Sequence, residues 1–170
     1  MWGLPPLKLN SRGLGEVCVW SGFTLVAVGA DYVQRGSYSM PVLHAVAAYA
    51  LLVTNILFIN QFPDCRADKA AGKRHWVVRL GPERARWVYL IVAAAAYLWL
   101  AVAVVSGRLP ALVLVALLPA ILSFRAGANL LKYVTRPRQL EPAIKMTIAA
   151  ASAHGLLLAA ALFTASNVAV

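Results

Sequence analysis

Five long apolar segments dominate this sequence and limit the folds that it can adopt. They cover about residues 14–33, 41–62, 87–106, 109–131 and 146–170, and shorter polar stretches separate them. The second segment carries no charged side chain, and about 20 helical residues are enough to cross the hydrocarbon core of a bilayer. Because backbone polar groups must be paired within lipid, we expect these segments to be helices. The sequence therefore predicts an all-α, polytopic transmembrane bundle of about five spans.

Composition supports this prediction and excludes an ordinary soluble domain. The chain is 61% hydrophobic and 13% charged, with a mean hydropathy of +0.72. A soluble protein of 170 residues would have to bury long helices that are apolar on every face, which its size does not allow. Pro119 within the fourth segment predicts a kink there. Cys18 and Cys65 lie far apart in the sequence, so no disulfide or zinc framework is indicated.

The basic residues predict the orientation of the bundle. A net charge of +10 is also found in nucleic-acid-binding proteins, but the basic groove with interleaved aromatic residues that such proteins use is absent. If the loop at residues 60–86 is cytoplasmic, fourteen of the sixteen Lys and Arg residues lie inside, and Arg35 and Arg108 lie outside. The positive-inside rule favours this arrangement. We therefore expect a protein of the inner or plasma membrane, with its amino terminus inside and its carboxyl terminus outside.

The polar stretch at residues 60–81 contains the candidate site. Asp64 and Asp68 are two of only six acidic residues, and their spacing of four places both carboxylates near one face of a helix. Asn60 extends this face if Pro63 does not break the helix. Seven basic residues lie in or beside this stretch: Arg66, Lys69, Lys73, Arg74, Arg79, Arg84 and Arg86. Carboxylates beside cations suit a Mg²⁺ ion that carries a phosphate-rich ligand.

Two motifs carry a resemblance to a known family. The pattern Asn60-x3-Asp64-x3-Asp68-x3-Gly72-Lys73-Arg74, followed by Val77-Val78-Arg79-Leu80-Gly81, resembles the second aspartate-rich motif of the UbiA superfamily of intramembrane prenyltransferases. The runs at residues 5–9 and 12–16 resemble the stretch before the fifth helix in menaquinone-type members. Those members are 1,4-dihydroxy-2-naphthoate polyprenyltransferases.

The resemblance implies a reaction and a set of residue roles. A polyprenyl group would pass from a polyprenyl diphosphate to an aromatic acceptor similar to 1,4-dihydroxy-2-naphthoate. Asp64 and Asp68 would hold Mg²⁺ as the catalytic carboxylates. The substrate-binding residues would be Asn60, Lys69, Lys73 and Arg74, with the cations on phosphate oxygens. Membrane lipid and the two substrates would be the partners, and the apolar spans would surround the isoprenoid tail.

The chain also departs from the family pattern. Family members have about nine helices and two aspartate motifs, whereas this sequence has five apolar segments and no Asn-Asp-x-x-Asp before residue 60. We therefore expect residues 1–170 to form a single but incomplete transmembrane domain that resembles the carboxyl-terminal half of the bundle. A truncated chain, a split enzyme with a separate amino-terminal half and a decayed remnant are the three alternatives.

Two other classes of membrane protein remain as alternatives. In a non-catalytic membrane subunit, Asp64 and Asp68 would have a structural role only. A CDP-alcohol phosphotransferase also uses carboxylates near the membrane surface, but its motif requires an upstream Asp-Gly-x2-Ala-Arg. It also requires a glycine four residues before the paired aspartates, where this chain has Asn60.

Overall fold

A computed structural model describes residues 13–168, and all the regular secondary structure in this part of the chain is helical. The helices are α1 (Gly15–Arg35), α2 (Met40–Ala70), α3 (Trp76–Leu80), α4 (Pro82–Val105), α5 (Ala120–Tyr133) and α6 (Glu141–Val168), with 3-10 helices at Ala111–Leu117 and Pro137–Gln139. Five helical segments are long and apolar enough to span a membrane. The predicted all-α bundle of five spans is therefore confirmed. The motif run at residues 5–9 and Arg12 lie outside the described residues.

Helix α2 carries the candidate site and is longer than the apolar segment that predicted it. Its 31 residues correspond to about 46 Å, against about 30 Å of hydrocarbon. The helix continues through Pro63 to Ala70, although proline removes one backbone donor. Asn60, Asp64 and Asp68 consequently lie on one continuous helix. Both aspartates belong to its last two turns, which lie beyond the apolar segment.

The fourth span is broken at the proline that predicted a kink. A 3-10 helix at Ala111–Leu117 precedes Pro119, and α5 begins at Ala120. Because proline has no N–H, it cannot donate to the Ala116 carbonyl oxygen as residue i+3 of a 3-10 helix would. The Nδ1 atom of the buried His154 on α6 lies 2.7 Å from that oxygen instead.

Helix α2 lies at the centre of the bundle and contacts α1, α4 and α6. Small side chains such as Ala48, Ala93 and Ala96 are fully buried, which lets neighbouring helices approach closely. Polar side chains add bonds between the spans. The Asn55 amide Nδ2 donates to the Tyr89 carbonyl oxygen at 3.0 Å, so this polar residue of the second apolar segment joins α2 to α4.

Candidate functional site

The three predicted residues of α2 lie at the carboxyl-terminal end of the helix, but they do not share one environment. Asn60 and Asp64 are exposed, whereas the side chain of Asp68 is only 17% exposed. Each step of four residues rotates a side chain by about 40° around the helix. Asp68 is therefore rotated about 80° from Asn60, towards the segment that leads into α3.

Asp68 is held by two cationic or hydrogen-bonding side chains from the turn after α2. The Lys73 Nζ atom lies 2.6 Å from Oδ1, and the His75 Nε2 atom lies 3.1 Å from Oδ2. Both carboxylate oxygens thus have a partner. By contrast, Asp64 forms no hydrogen bond or ion pair with the described residues, so its carboxylate remains available to a ligand.

The chain returns to Asp68 because of a tight turn at the end of α2. Gly72 has a φ of 75°, a left-handed conformation that glycine adopts without a steric penalty. The Lys73 amide then donates to the Asp68 carbonyl oxygen at 2.9 Å, which is the hydrogen bond of a Schellman helix end. This turn reverses the chain and brings the side chains of Lys73 and His75 back to the last turn of α2.

His75 belongs to this cluster, although the sequence analysis did not select it as a candidate. Its side chain is 4% exposed, and it lies at the amino-terminal cap position of α3. Because a carboxylate only accepts hydrogen bonds, the His75 Nε2–H must be the donor to Asp68. The other ring nitrogen, Nδ1, is buried without a hydrogen-bond partner within residues 13–168. The sequence did contain one relevant feature. A glycine at the end of a helix often reverses the chain, and His75 follows Gly72 closely enough to return to that helix end.

The three predicted cations lie near Asp68 in the sequence, but they make different contacts. Lys69, Lys73 and Arg74 are all exposed, and of the ion pairs in the described part of the chain, only that of Lys73 involves a motif carboxylate. Asn60 donates its amide Nδ2 to the Ile56 carbonyl oxygen at 2.8 Å. The structure therefore brings Asp68 and Lys73 together and leaves Asp64, Lys69 and Arg74 facing solvent at the same end of α2.

A second polar pair joins the start of α1 to α2 near the motif. The Gln61 Nε2 atom donates to the Glu16 Oε1 atom at 2.8 Å, and Gln61 is only 7% exposed. Glu16 belongs to the sequence run that resembles the stretch before the fifth family helix. The contact fixes the start of α1 beside the residue that follows Asn60.

The carboxylates are compatible with a Mg²⁺ ion whose coordination shell is completed by water or substrate oxygens. Within residues 13–168, no group of three or more His, Cys, Asp or Glu residues is close enough to hold a metal ion. Asp64 and Asp68 provide two hard carboxylates, and Mg²⁺ is often bound by one or two carboxylates together with water and substrate phosphates. Cys18 and Cys65 are both free thiols.

Three curated proteins are similar to parts of this chain. A 2-carboxy-1,4-naphthoquinone phytyltransferase of Synechocystis is 32% identical over 68% of this chain and 38% of its own length. A 1,4-dihydroxy-2-naphthoate octaprenyltransferase of Haemophilus influenzae is 37% identical over 54% of this chain and 31% of its own. The chloroplastic 2-carboxy-1,4-naphthoquinone phytyltransferase of Arabidopsis thaliana is 35% identical over 49% of this chain and 24% of its own.

The matches therefore span less than two fifths of the length of these relatives. No solved structure gives a significant match to the chain. The model of the UbiA prenyltransferase family, however, matches residues 5–149, which include all the motif residues of α2 and the turn that follows it. The five spanning helices and this match identify an integral membrane protein that belongs to the UbiA prenyltransferase family.

Proposed function

We propose that the chain takes part in the Mg²⁺-dependent transfer of a polyprenyl group from a polyprenyl diphosphate to an aromatic acceptor such as 1,4-dihydroxy-2-naphthoate. The observation that carries this proposal is the Asp68–Lys73–His75 cluster beside the exposed Asp64, at the end of a transmembrane helix. The names of the three relatives support a naphthoate-type acceptor and a place in quinone biosynthesis.

Asp64 and Asp68 would hold the metal. When bound, Mg²⁺ supplies a Lewis acid that stabilises the negative charge developing on the departing diphosphate. Asp64 presents a solvent-facing carboxylate that has no hydrogen bond or ion pair with residues 13–168. Asp68 keeps a defined orientation because the His75 Nε2–H holds its Oδ2 atom at 3.1 Å.

Lys73 would exchange one anionic partner for another during substrate binding. Without a ligand its ammonium group pairs with Asp68 Oδ1 at 2.6 Å. A diphosphate at this position offers more negative charge than a single carboxylate, so we expect Lys73 to move to a phosphate oxygen and release Oδ1. Lys69 and Arg74 are exposed at the same turn and would add charge-assisted hydrogen bonds to other phosphate oxygens. Asn60 would border the site on the same side of α2 as Asp64.

Completion of the site is part of the proposal. One pair of carboxylates provides few ligands for a substrate that carries a diphosphate. An amino-terminal half with the other aspartate-rich motif, in the same polypeptide or in a separate one, would supply the opposite wall of the site. We also propose that the motif end of α2 faces the cytoplasm of a bacterial-type inner membrane or plasma membrane, because most basic residues lie on that side.

Mg²⁺-dependent binding of a non-hydrolysable prenyl diphosphate analogue to the purified 170-residue chain tests the proposal. We expect Asp64→Asn and Asp68→Asn each to lower the affinity at least tenfold, because each removes a negative metal ligand without changing side-chain size. Glu83→Gln is the matched control, since Glu83 is an exposed carboxylate (58%) on the neighbouring helix α4.

Two results would separate the possible failures. If both Asn variants bind the analogue as tightly as the parent chain, the metal assignment is wrong. If the parent binds the analogue but does not prenylate 1,4-dihydroxy-2-naphthoate when it is co-expressed with an amino-terminal half carrying the first motif, the assignment of the acceptor is wrong.

A further inference from the structure

An open groove lies at the end of the bundle opposite to the aspartate motif. It has a volume of about 610 Å³ and is lined by residues of α1, α2, α6 and the turn after α4, including Arg35, Val42, Arg108 and Leu162. Val42 precedes Asp64 by 22 residues of the same helix, so the two ends are separated by about 33 Å. We call this feature the arginine groove.

Arg35 and Arg108, the two basic residues that the charge pattern places outside, both line this groove. Arg35 lies in the last turn of α1, and Arg108 follows Gly107 in the turn after α4. The guanidinium of Arg35 is 3.7 Å from Asp31, a loose contact, and its side chain is 61% exposed. Arg108 is exposed and has no ion pair with the described residues. The groove therefore presents positive charge that the protein does not neutralise fully.

One neutral donor stands beside these cations. Ser39 precedes the first residue of α2, and its hydroxyl makes no capping hydrogen bond to that helix. It lines the arginine groove together with Ser166 of α6. Two guanidinium groups and a hydroxyl that does not cap its helix are suited to a phosphate group, because guanidinium donors match the geometry of phosphate oxygens.

Aromatic residues place this end of the bundle at a membrane–water boundary. Tyr32 of α1 and Tyr38 of the α1–α2 turn stack with their ring centroids 4.7 Å apart, and the Trp99 Nε1–H donates to the His44 carbonyl oxygen at 3.1 Å. Tyr and Trp concentrate at the level of lipid headgroups. The arginine groove thus lies where phospholipid phosphates are found.

The arginine groove adjoins an apolar channel along the surface of the bundle. A second groove of about 580 Å³ between α2 and α6 is lined by Val46, Tyr49 and Gly155, and it shares Val42 and Leu162 with the arginine groove. Gly155 lets the Tyr49 ring pack against α6 as one wall of this channel, because a Cβ atom there would lie 2.8 Å from the ring. An inorganic anion gains no binding energy from this apolar channel, whereas an acyl chain buries apolar surface against it.

We propose that the arginine groove binds an anionic membrane phospholipid. Arg35, Arg108 and the Ser39 hydroxyl would hold the phosphodiester, and one acyl chain would lie in the channel between α2 and α6. The bound lipid would join α1, the turn after α4 and α6 at the end of the bundle that lacks the motif. This inference does not depend on the proposed prenyl transfer.

Lipid retention by the delipidated 170-residue chain tests this proposal. Native mass spectrometry would compare phosphatidylglycerol, phosphatidylcholine with the same acyl chains, and inorganic phosphate. We expect one retained phosphatidylglycerol, weaker retention of phosphatidylcholine and no retention of phosphate. Arg35→Gln and Arg108→Gln should each weaken the affinity for phosphatidylglycerol about fivefold, and together about 25-fold, from the usual contribution of one basic side chain near anionic lipid.

Matched variants separate the groove from general charge and folding effects. The double variant Arg84→Gln/Arg138→Gln removes two exposed arginines at the other end of the bundle and should retain phosphatidylglycerol as the parent does. Ala159→Phe would fill the channel while both groove arginines remain, and Ala160→Phe alters the neighbouring exposed position, which does not line it. We expect only the substitution at residue 159 to weaken retention.

Three outcomes of the phospholipid experiments would overturn the proposal. They are unchanged retention after both groove arginines are replaced, equal retention of the two phospholipids, and unchanged retention in the Ala159→Phe variant. Saturable binding of inorganic phosphate with the same affinity would also exclude a lipid site and show a simple anion site. Because Ala159→Phe leaves the charges in place, the proposal stays testable even if the double arginine variant fails to fold.

Discussion

Replacing His75 is the sharpest test of whether this residue orients Asp68 for the proposed metal ion. In the His75→Ala variant, Asp68 loses the donor at 3.1 Å from Oδ2 and keeps only the exposed Lys73. A hydrogen bond to a charged group contributes about 1.5–3 kcal/mol. Since Asp68 is already 17% exposed, water replaces part of this bond, and the lower end of the range applies.

This magnitude sets the expected change in ligand binding. About 1.4 kcal/mol corresponds to a tenfold change in an equilibrium constant, so the Mg²⁺-dependent affinity for a prenyl diphosphate analogue should fall about tenfold. Losses of this size are typical when a group that orients a metal ligand is removed. The loss should appear as a higher Mg²⁺ concentration at half-saturation, because His75 acts through Asp68 and not on the substrate.

The assay and its control follow from the geometry. Analogue binding to the purified chain would be measured over a series of Mg²⁺ concentrations, with helix content and thermal stability recorded for each variant. The variants His75→Asn and His75→Gln keep an N–H donor, and at least one of them should recover most of the Mg²⁺ affinity. Unchanged Mg²⁺ dependence in the His75→Ala variant would refute the positioning role. A stability loss without recovery by either donor variant would indicate a packing role only.

Two further predictions concern the turn after α2 and the orientation of the bundle. Gly72→Ala should lower the free energy of unfolding by about 1–2 kcal/mol and weaken analogue binding, because φ is 75° although the space beside it is open; Gly29→Ala, on α1, also has open space beside it but should not destabilise the chain in thermal denaturation. Cysteine labelling in a variant without native cysteines should modify position 72 from the cytoplasm and position 107 from outside, and external labelling at position 72 would reverse the proposed orientation.

The apolar segments predicted the spans well because the bilayer requires long, continuous apolar helices, and that requirement is visible in a single sequence. Their ends were predicted less well. The second segment ended at residue 62, but α2 continues to Ala70, and α4 and α6 begin at Pro82 and Glu141, about five residues before the predicted starts. Hydropathy marks where a helix leaves the apolar layer, whereas backbone hydrogen bonding decides where the helix ends.

The candidate site shows a similar division between what the sequence predicts and what only contacts reveal. The spacing of Asp64 and Asp68 predicted two carboxylates near one helix face, and Pro63 does not interrupt that helix. The spacing did not show that Asp68 turns towards α3, nor that His75 holds it. That contact depends on the chain reversal at Gly72, and such a reversal is determined by local backbone conformation rather than by helical periodicity.

The break in the fourth span shows the physical reason for this limit. Pro119 predicted a kink because it lacks an N–H, and the same property leaves the Ala116 carbonyl oxygen without a donor from its own helix. A free carbonyl within the membrane requires a partner, and the helix break at Pro119 removes the usual one. The partner is His154, 38 residues further along the chain, whose Nδ1 lies 2.7 Å from the oxygen. Its Nε2 atom stays buried without a partner among the described residues. A break in a helix can thus be predicted locally, whereas the side chain that repairs it is set by the packing of a different helix.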